Sequence, residues 1–133
     1  MQEEELFFRL QISEQKHCIN VAYAIRDKEI TPKKEYLIRL ALLHDIGKIK
    51  TKLTPIDKAM IVILDKVTKG KARKYARYKK IKVYYHHGQM GYELLKEIGG
   101  YDEHFLEIIR KHHCKGNKDD ALLMILQKWD DRN

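Results

Sequence analysis

This chain of 133 residues predicts an all-α fold, and three observations lead there. Strand-type alternation is weak throughout, and the one β-branched run, Ile61-Val62-Ile63-Leu64, falls inside a capped helical pattern. Thr31-Pro32 and Thr54-Pro55 each place an N-capping hydroxyl before a proline at the first helical position, where its missing N–H costs nothing. Gly47, Gly99 and Gly116 stand where apolar periodicities stop, as residues that adopt the left-handed conformation after a last turn.

Taken in order, the pattern predicts a first helix over 3–10 and a second over 13–28, whose inner stripe runs His17, Val21, Ala24. The third, 32–47, starts at the Thr31-Pro32 signal, carries Leu37, Leu40 and His44 on one face and stops at Gly47. The fourth, 55–67, starts at Thr54-Pro55. The fifth, 86–98, lines up His87, Gly91, Leu94 and Ile98 before Gly99. The sixth, 103–114, aligns Phe105 and Ile109 with His112, and Leu106 and Ile109 with His113. The last, 120–131, aligns Leu123 and Leu126 with Asp130.

Six to seven helices with 44% apolar residues make a core for one domain over 1–133, a single helical bundle, and two domains would be a squeeze. No apolar run reaches the roughly 18 residues of a membrane span, and the start, MQEEELFFRL, lacks the basic-then-apolar order of a secretory signal. The expectation is a cytoplasmic protein with no membrane partner. Cys18 and Cys114 are too few for a disulfide framework and are expected as free thiols, with Cys114 in the core because a helix carries it about 100° round from His113. The net charge of +8 is local: nine Lys/Arg and no acid lie between Lys66 and Lys82, leaving 18 basic against 19 acidic residues elsewhere. A local patch on a near-neutral body is a docking place for an anion.

An amphipathic helix normally keeps its inner stripe apolar. Here His17, His44, His87, His112, His113 and Asp130 interrupt the stripes of five helices. Each buried imidazole demands partners for two ring nitrogens, and a shared metal satisfies several at once. Imidazole with carboxylate suits zinc, manganese, iron or nickel, and the lack of a CxxC pair removes a thiolate zinc knuckle.

The segment Leu42-Leu43-His44-Asp45-Ile46-Gly47-Lys48 resembles the HDIG form of the signature of the HD-domain metal-dependent phosphohydrolases, which implies an HD-type bundle. The resemblance runs from His17 to Asp130, and the family's ligand order, a His, then His-Asp, then a distant Asp, is met by His17, His44, Asp45 and Asp130. Family members with two metals add a midway His and a His-His pair, here His87 and His112-His113, so the resemblance implies two divalent transition-metal ions bridged by Asp45. A single ion with the extra histidines around it stays open. His87-Gly88-Gln89-Met90-Gly91 resembles that branch's His-Pro-x-x-Gly element, with glycine for proline. His87 is preferred to His86, whose face holds Met90, Glu93 and Glu97; His86 and His104 default to the surface or to supporting contacts. Asp131 is an alternative to Asp130. Cys114-Lys115-Gly116-Asn117-Lys118 lacks the Gly-Tyr-Pro of the cyclic-di-GMP phosphodiesterases, so that substrate has no support.

The implied activity is hydrolysis of a phosphomonoester or phosphodiester in a nucleotide or nucleic-acid-derived substrate by a metal-activated water, with Asp45 and Lys48 in the catalytic roles; Lys48 would meet phosphate or the leaving oxygen. Lys74, Arg77 and Lys79, in the run Lys74-Tyr75-Ala76-Arg77-Tyr78-Lys79-Lys80, are candidates for binding the anionic substrate, a phosphorylated small molecule or nucleotide, with nucleic acid as an open alternative. A solvated helix face is the other reading of that run. Two rivals remain: a diiron oxygenase of HD fold, and a nucleic-acid-binding module with a structural metal. Phosphate-binding glycine loops are absent, and neither cysteine nor Ser13 has the setting of a nucleophile.

Overall fold

The computed structural model describes residues 2–50, 55–72, 79–116 and 118–133. Among them are helices α1 (Gln2–Phe8), α2 (Ile12–Lys28), α3 (Lys34–Leu43), α4 (Pro55–Val67), α5 (Lys79–Ile98), α6 (Glu103–Lys111) and α7 (Ala121–Arg132), a 3₁₀ turn (Ile46–Lys50) and no strand. No described helix is long and apolar enough to cross a membrane.

The core forms where the apolar stripes meet. Val21 and Ile25 of α2, Leu37 and Leu40 of α3, Phe105 and Ile109 of α6, and Leu123 and Leu126 of α7 are almost wholly buried together. α2 lies against α3 and α7, while α5 lies against the 3₁₀ turn and α6. Asp102 and Asp120 cap α6 and α7, accepting from the backbone N–H of Phe105 and Leu123. A small separate cluster, Ile61 with Val83, joins α4 to α5.

Several predicted boundaries move, each for a physical reason. The third helix starts at Lys34, because Thr31 Oγ1 accepts from the N–H of Lys33 and holds a turn before the helix. It ends at Leu43 instead of 47, leaving His44 as its C-cap and Asp45 in a turn. Gly47 therefore does not close a helix and has no positive φ. A Cβ there would stand 1.9 Å from the His87 carbonyl oxygen and 2.8 Å from the Gly91 nitrogen, so the residue is small to let the 3₁₀ turn press onto α5. Gly88 does the same on the other side of α5, where a Cβ would meet the Arg110 carbonyl oxygen at 2.7 Å. Gly99 and Gly116 do adopt the left-handed conformation, with φ of 83° and 89°.

α5 starts at Lys79, seven residues before the predicted 86, because fully buried Val83 anchors its basic first turns against Ile61. α6 stops at Lys111 instead of 114, which puts His112 at the C-cap and His113 in the turn. Helical phase no longer applies at Cys114, which is exposed instead of in the core, and both cysteines are free.

Candidate metal centre

Helix faces and helix ends aim the polar residues of the stripes at one another. His17 comes from the middle of α2, His44 from the end of α3, Asp45 from the turn after it, His87 from α5, His112 and His113 from the end of α6, and Asp130 from α7. Their ligand atoms form two groups, Asp45 with His87, His112 and His113, and His17 with His44 and Asp130, each with all atoms within 4.8 Å of one another. Asp45 links the two. Its Oδ1 lies 3.2 Å from His87 Nε2 and 3.4 Å from His112 Nε2, and its Oδ2 lies 3.4 Å from His44 Nε2 and 3.9 Å from His17 Nε2. Asp130 Oδ1 stands 2.7 Å from His17 Nε2 and 3.2 Å from His44 Nε2.

The backbone sets the chemistry of the rings. Nδ1–H of His44 donates to the Ala41 carbonyl at 2.6 Å, that of His112 to Ile109 at 2.7 Å, and that of His87 to Val83 at 3.1 Å. A carbonyl only accepts, so Nδ1 carries the proton, and in the neutral ring the Nε2 lone pair faces inward. His87 and His112 thus point lone pairs at each other, 3.2 Å apart, and at Asp45 Oδ1, which is buried and has no hydrogen-bond partner among the described residues. Three lone pairs converging on one buried point are unfavourable unless a cation lies among them. These residues fit a divalent metal on that ground.

The electrostatics agree. Burial pushes the Asp45 carboxyl upward, but His44, His112, His87 and Lys48 outweigh it and hold it well below the usual carboxylate range. Asp130 is likewise lowered, its burial overcome by His17 and His44. At His44 burial is outweighed by the Asp45 charge, which raises its pKa well above the usual value. The carboxylates call for positive charge beside that imidazole, which a metal ion supplies more fully than a proton. Burial and the neighbouring histidines lower His112, and push His113 down to about 3, so these rings stay neutral and able to ligate.

His44, His87 and His112 are buried, His17 is half-buried and His113 is exposed, its ring centroid 4.8 Å from His87 and 4.1 Å from His112. His86 is exposed, His104 pairs with Asp120 at 2.7 Å on the surface, and Asp131 is exposed outside both groups. Cys18 Sγ lies 4.0 Å from His44 Nδ1, a nitrogen already donating to Ala41, and burial raises the thiol pKa, so Cys18 packs as a thiol.

Lys48 donates to Asp45 Oδ2 at 3.0 Å and to Glu14 Oε2 at 3.1 Å. Burial lowers its pKa, but Asp45 and Glu14 more than compensate, so it stays an ammonium. A cavity of about 400 Å³ opens beside it, lined by Lys48, Lys58, Asp65, Tyr84, Tyr85, His87 and His113. Glu14 and Lys58 are additions to the site that the sequence reading missed. Glu14 is one helical turn ahead of buried Cys18, and that phase was the available signal; a carboxylate near an amino-terminal turn otherwise reads as solvated. Of the substrate candidates, Lys74 and Arg77 lie outside the described residues, and Lys79 is placed only as the first residue of α5.

Residues 15–132 match the family model described as HD domain. No curated protein and no solved structure matches the chain.

Proposed function

The chain belongs to the HD-domain family, and from that membership we propose that it is a phosphohydrolase of the HDIG type, cleaving a phosphomonoester or phosphodiester bond in a nucleotide or nucleic-acid-derived substrate. The observation that carries the reading is the buried, unpartnered Asp45 Oδ1 facing imidazole nitrogens whose tautomer the backbone has fixed.

In this reading His87, His112 and His113 would hold one divalent ion, His17, His44 and Asp130 a second, and Asp45 would serve both. Bound there, the ions would lower the pKa of a water and neutralise phosphoryl charge. The Nδ1 bonds to Ala41, Val83 and Ile109 fix the rings before substrate arrives, so little reorganisation is needed. Lys48 presents its ammonium at the cavity wall next to the Asp45 carboxylate, where it would meet a phosphate oxygen or the leaving oxygen. Tyr84 and Tyr85 offer aromatic surface in the same cavity, which supports a substrate with a base or other flat group. Lys74, Arg77 and Lys79 belong to the proposal on charge alone, as part of the segment that carries the whole positive surplus.

Alanine substitution of Asp45 or Asp130 tests it. Each substitution should lower metal content and abolish turnover across a panel of phosphate esters. Full metal and full turnover in both variants would remove the assignment.

A further inference from the structure

We propose that Lys58, held beside Lys48 on the buried carboxylate of Glu14, is a second phosphate-binding ammonium of the cavity, and that the site favours the terminal phosphate of a monoester over a diester. The inference takes its substrate chemistry from the phosphohydrolase reading, and its evidence from α4.

Glu14 is 5% exposed, and a carboxylate so placed needs partners. Among the described residues it has two, Lys48 from the 3₁₀ turn and Lys58 from α4. Each ammonium carries three N–H donors. Among the described residues Lys48 uses one on Glu14 and one on Asp45 and keeps one. Lys58, among the described residues, uses one on Glu14 and keeps two, and both lysines line the cavity. Glu14 therefore acts as a positioning residue, aiming two cations at one opening.

The orientation of α4 supports the same conclusion. Its Ile56, Met60, Ile63 and Val67 are exposed, whereas Lys58 and Asp65 turn inward to line the cavity. A helix normally does the reverse, burying its apolar stripe and exposing its charges. Core packing does not account for charges turned inward at the expense of four apolar side chains, but lining a polar ligand site does. A monoester phosphate carries close to two negative charges at neutral pH and three terminal oxygens. A diester offers one charge and two free oxygens, a poorer match to two ammoniums with three donors between them.

The test is calorimetric binding to the full chain loaded with manganese, with inorganic phosphate and dimethyl phosphate as probes, and turnover of a monoester and a diester measured on the same samples. Wild type should bind phosphate more tightly than dimethyl phosphate. Lys58→Met should weaken phosphate at least about tenfold, with unchanged metal content and a melting temperature lowered only by the lost Glu14 pairing, and should affect dimethyl phosphate less. Lys58→Arg should recover part, and Lys16→Met, at an exposed lysine of α2, should change nothing. Phosphate binding that is absent in wild type, unaffected by Lys58→Met, or no tighter than that of dimethyl phosphate overturns the proposal. Binding that depends on Lys58 without turnover of either ester leaves it standing and refutes the hydrolase reading instead.

Discussion

Asp45 looks two ways, with Oδ1 toward His87 and His112 and Oδ2 toward His44, His17 and Lys48. The Lys48 ammonium is thereby fixed relative to the ligands without being one, so it can be removed without dismantling them. Lys48→Ala should retain metal and fold and lose about 10²–10³ in kcat, as measured by steady-state kinetics on samples of known metal content. A loss confined to KM would make Lys48 a binding group only. Glu14 gives a pH-dependent counterpart. Burial raises its pKa, but Lys48 and Lys58 bring it below the usual value near 4.5. A carboxylate lowered in the folded state stabilises above its unfolded pKa, and that contribution fades as pH falls through the folded one. Glu14→Gln should therefore be less stable than wild type at pH 7, by roughly 1–3 kcal/mol. The gap should narrow below about pH 4 in urea melts; a gap that is constant with pH would mean that Glu14 contributes by packing.

At the scale of elements, the site depends on how the turn after α3 is seated on α5. His44 keeps helical φ/ψ as the C-cap of α3, and Asp45 follows it in the turn with its Oδ2 3.4 Å from His44 Nε2. The 3₁₀ turn follows directly, and the close approach at Gly47 seats it on the backbone of His87. Gly47→Ala places a methyl group against backbone that cannot rotate away. It should lower stability by at least the ~1–3 kcal/mol of an overpacked core and weaken metal retention too, since the turn and α5 both carry ligands. Differential scanning calorimetry with metal analysis checks this, and a Gly47→Ala variant of wild-type stability and metal content would show that the turn sits further from α5.

For the whole molecule, the all-α class and the seven helices among the described residues were legible from apolar spacing and from the left-handed Gly99 and Gly116, whereas the Thr31-Pro32 start and the Gly47 stop misplaced the ends of α3, and Thr54 lies outside the described residues. The convergence of His17, His44, His87, His112 and Asp130 was legible for a related reason: a polar residue in an apolar stripe keeps its phase even when the helix ends one residue early. What was hidden depends on tertiary contacts. Gly47 looks like any helix-ending glycine until α5 is beside it. Glu14 and Lys58 look like surface charges until they meet, and Cys114 follows helical phase only if α6 reaches it. The start of α5 was missed because seven residues rich in lysine and tyrosine hide one buried valine, Val83.

The measurement that bears most directly on the metal centre is stoichiometry with turnover in one titration. Protein stripped by chelator is returned to manganese or iron, bound ions per chain are counted by mass spectrometry, and phosphate release from a panel of esters is followed on the same samples. Hydrolysis should appear only with bound metal, rise to a plateau near two ions per chain, and be accompanied by a higher melting temperature, because an ion that binds only the folded chain stabilises it. Full occupancy with no hydrolysis of any ester, or hydrolysis that persists in the stripped protein, would contradict the claim that this histidine and aspartate cluster is a phosphohydrolase centre.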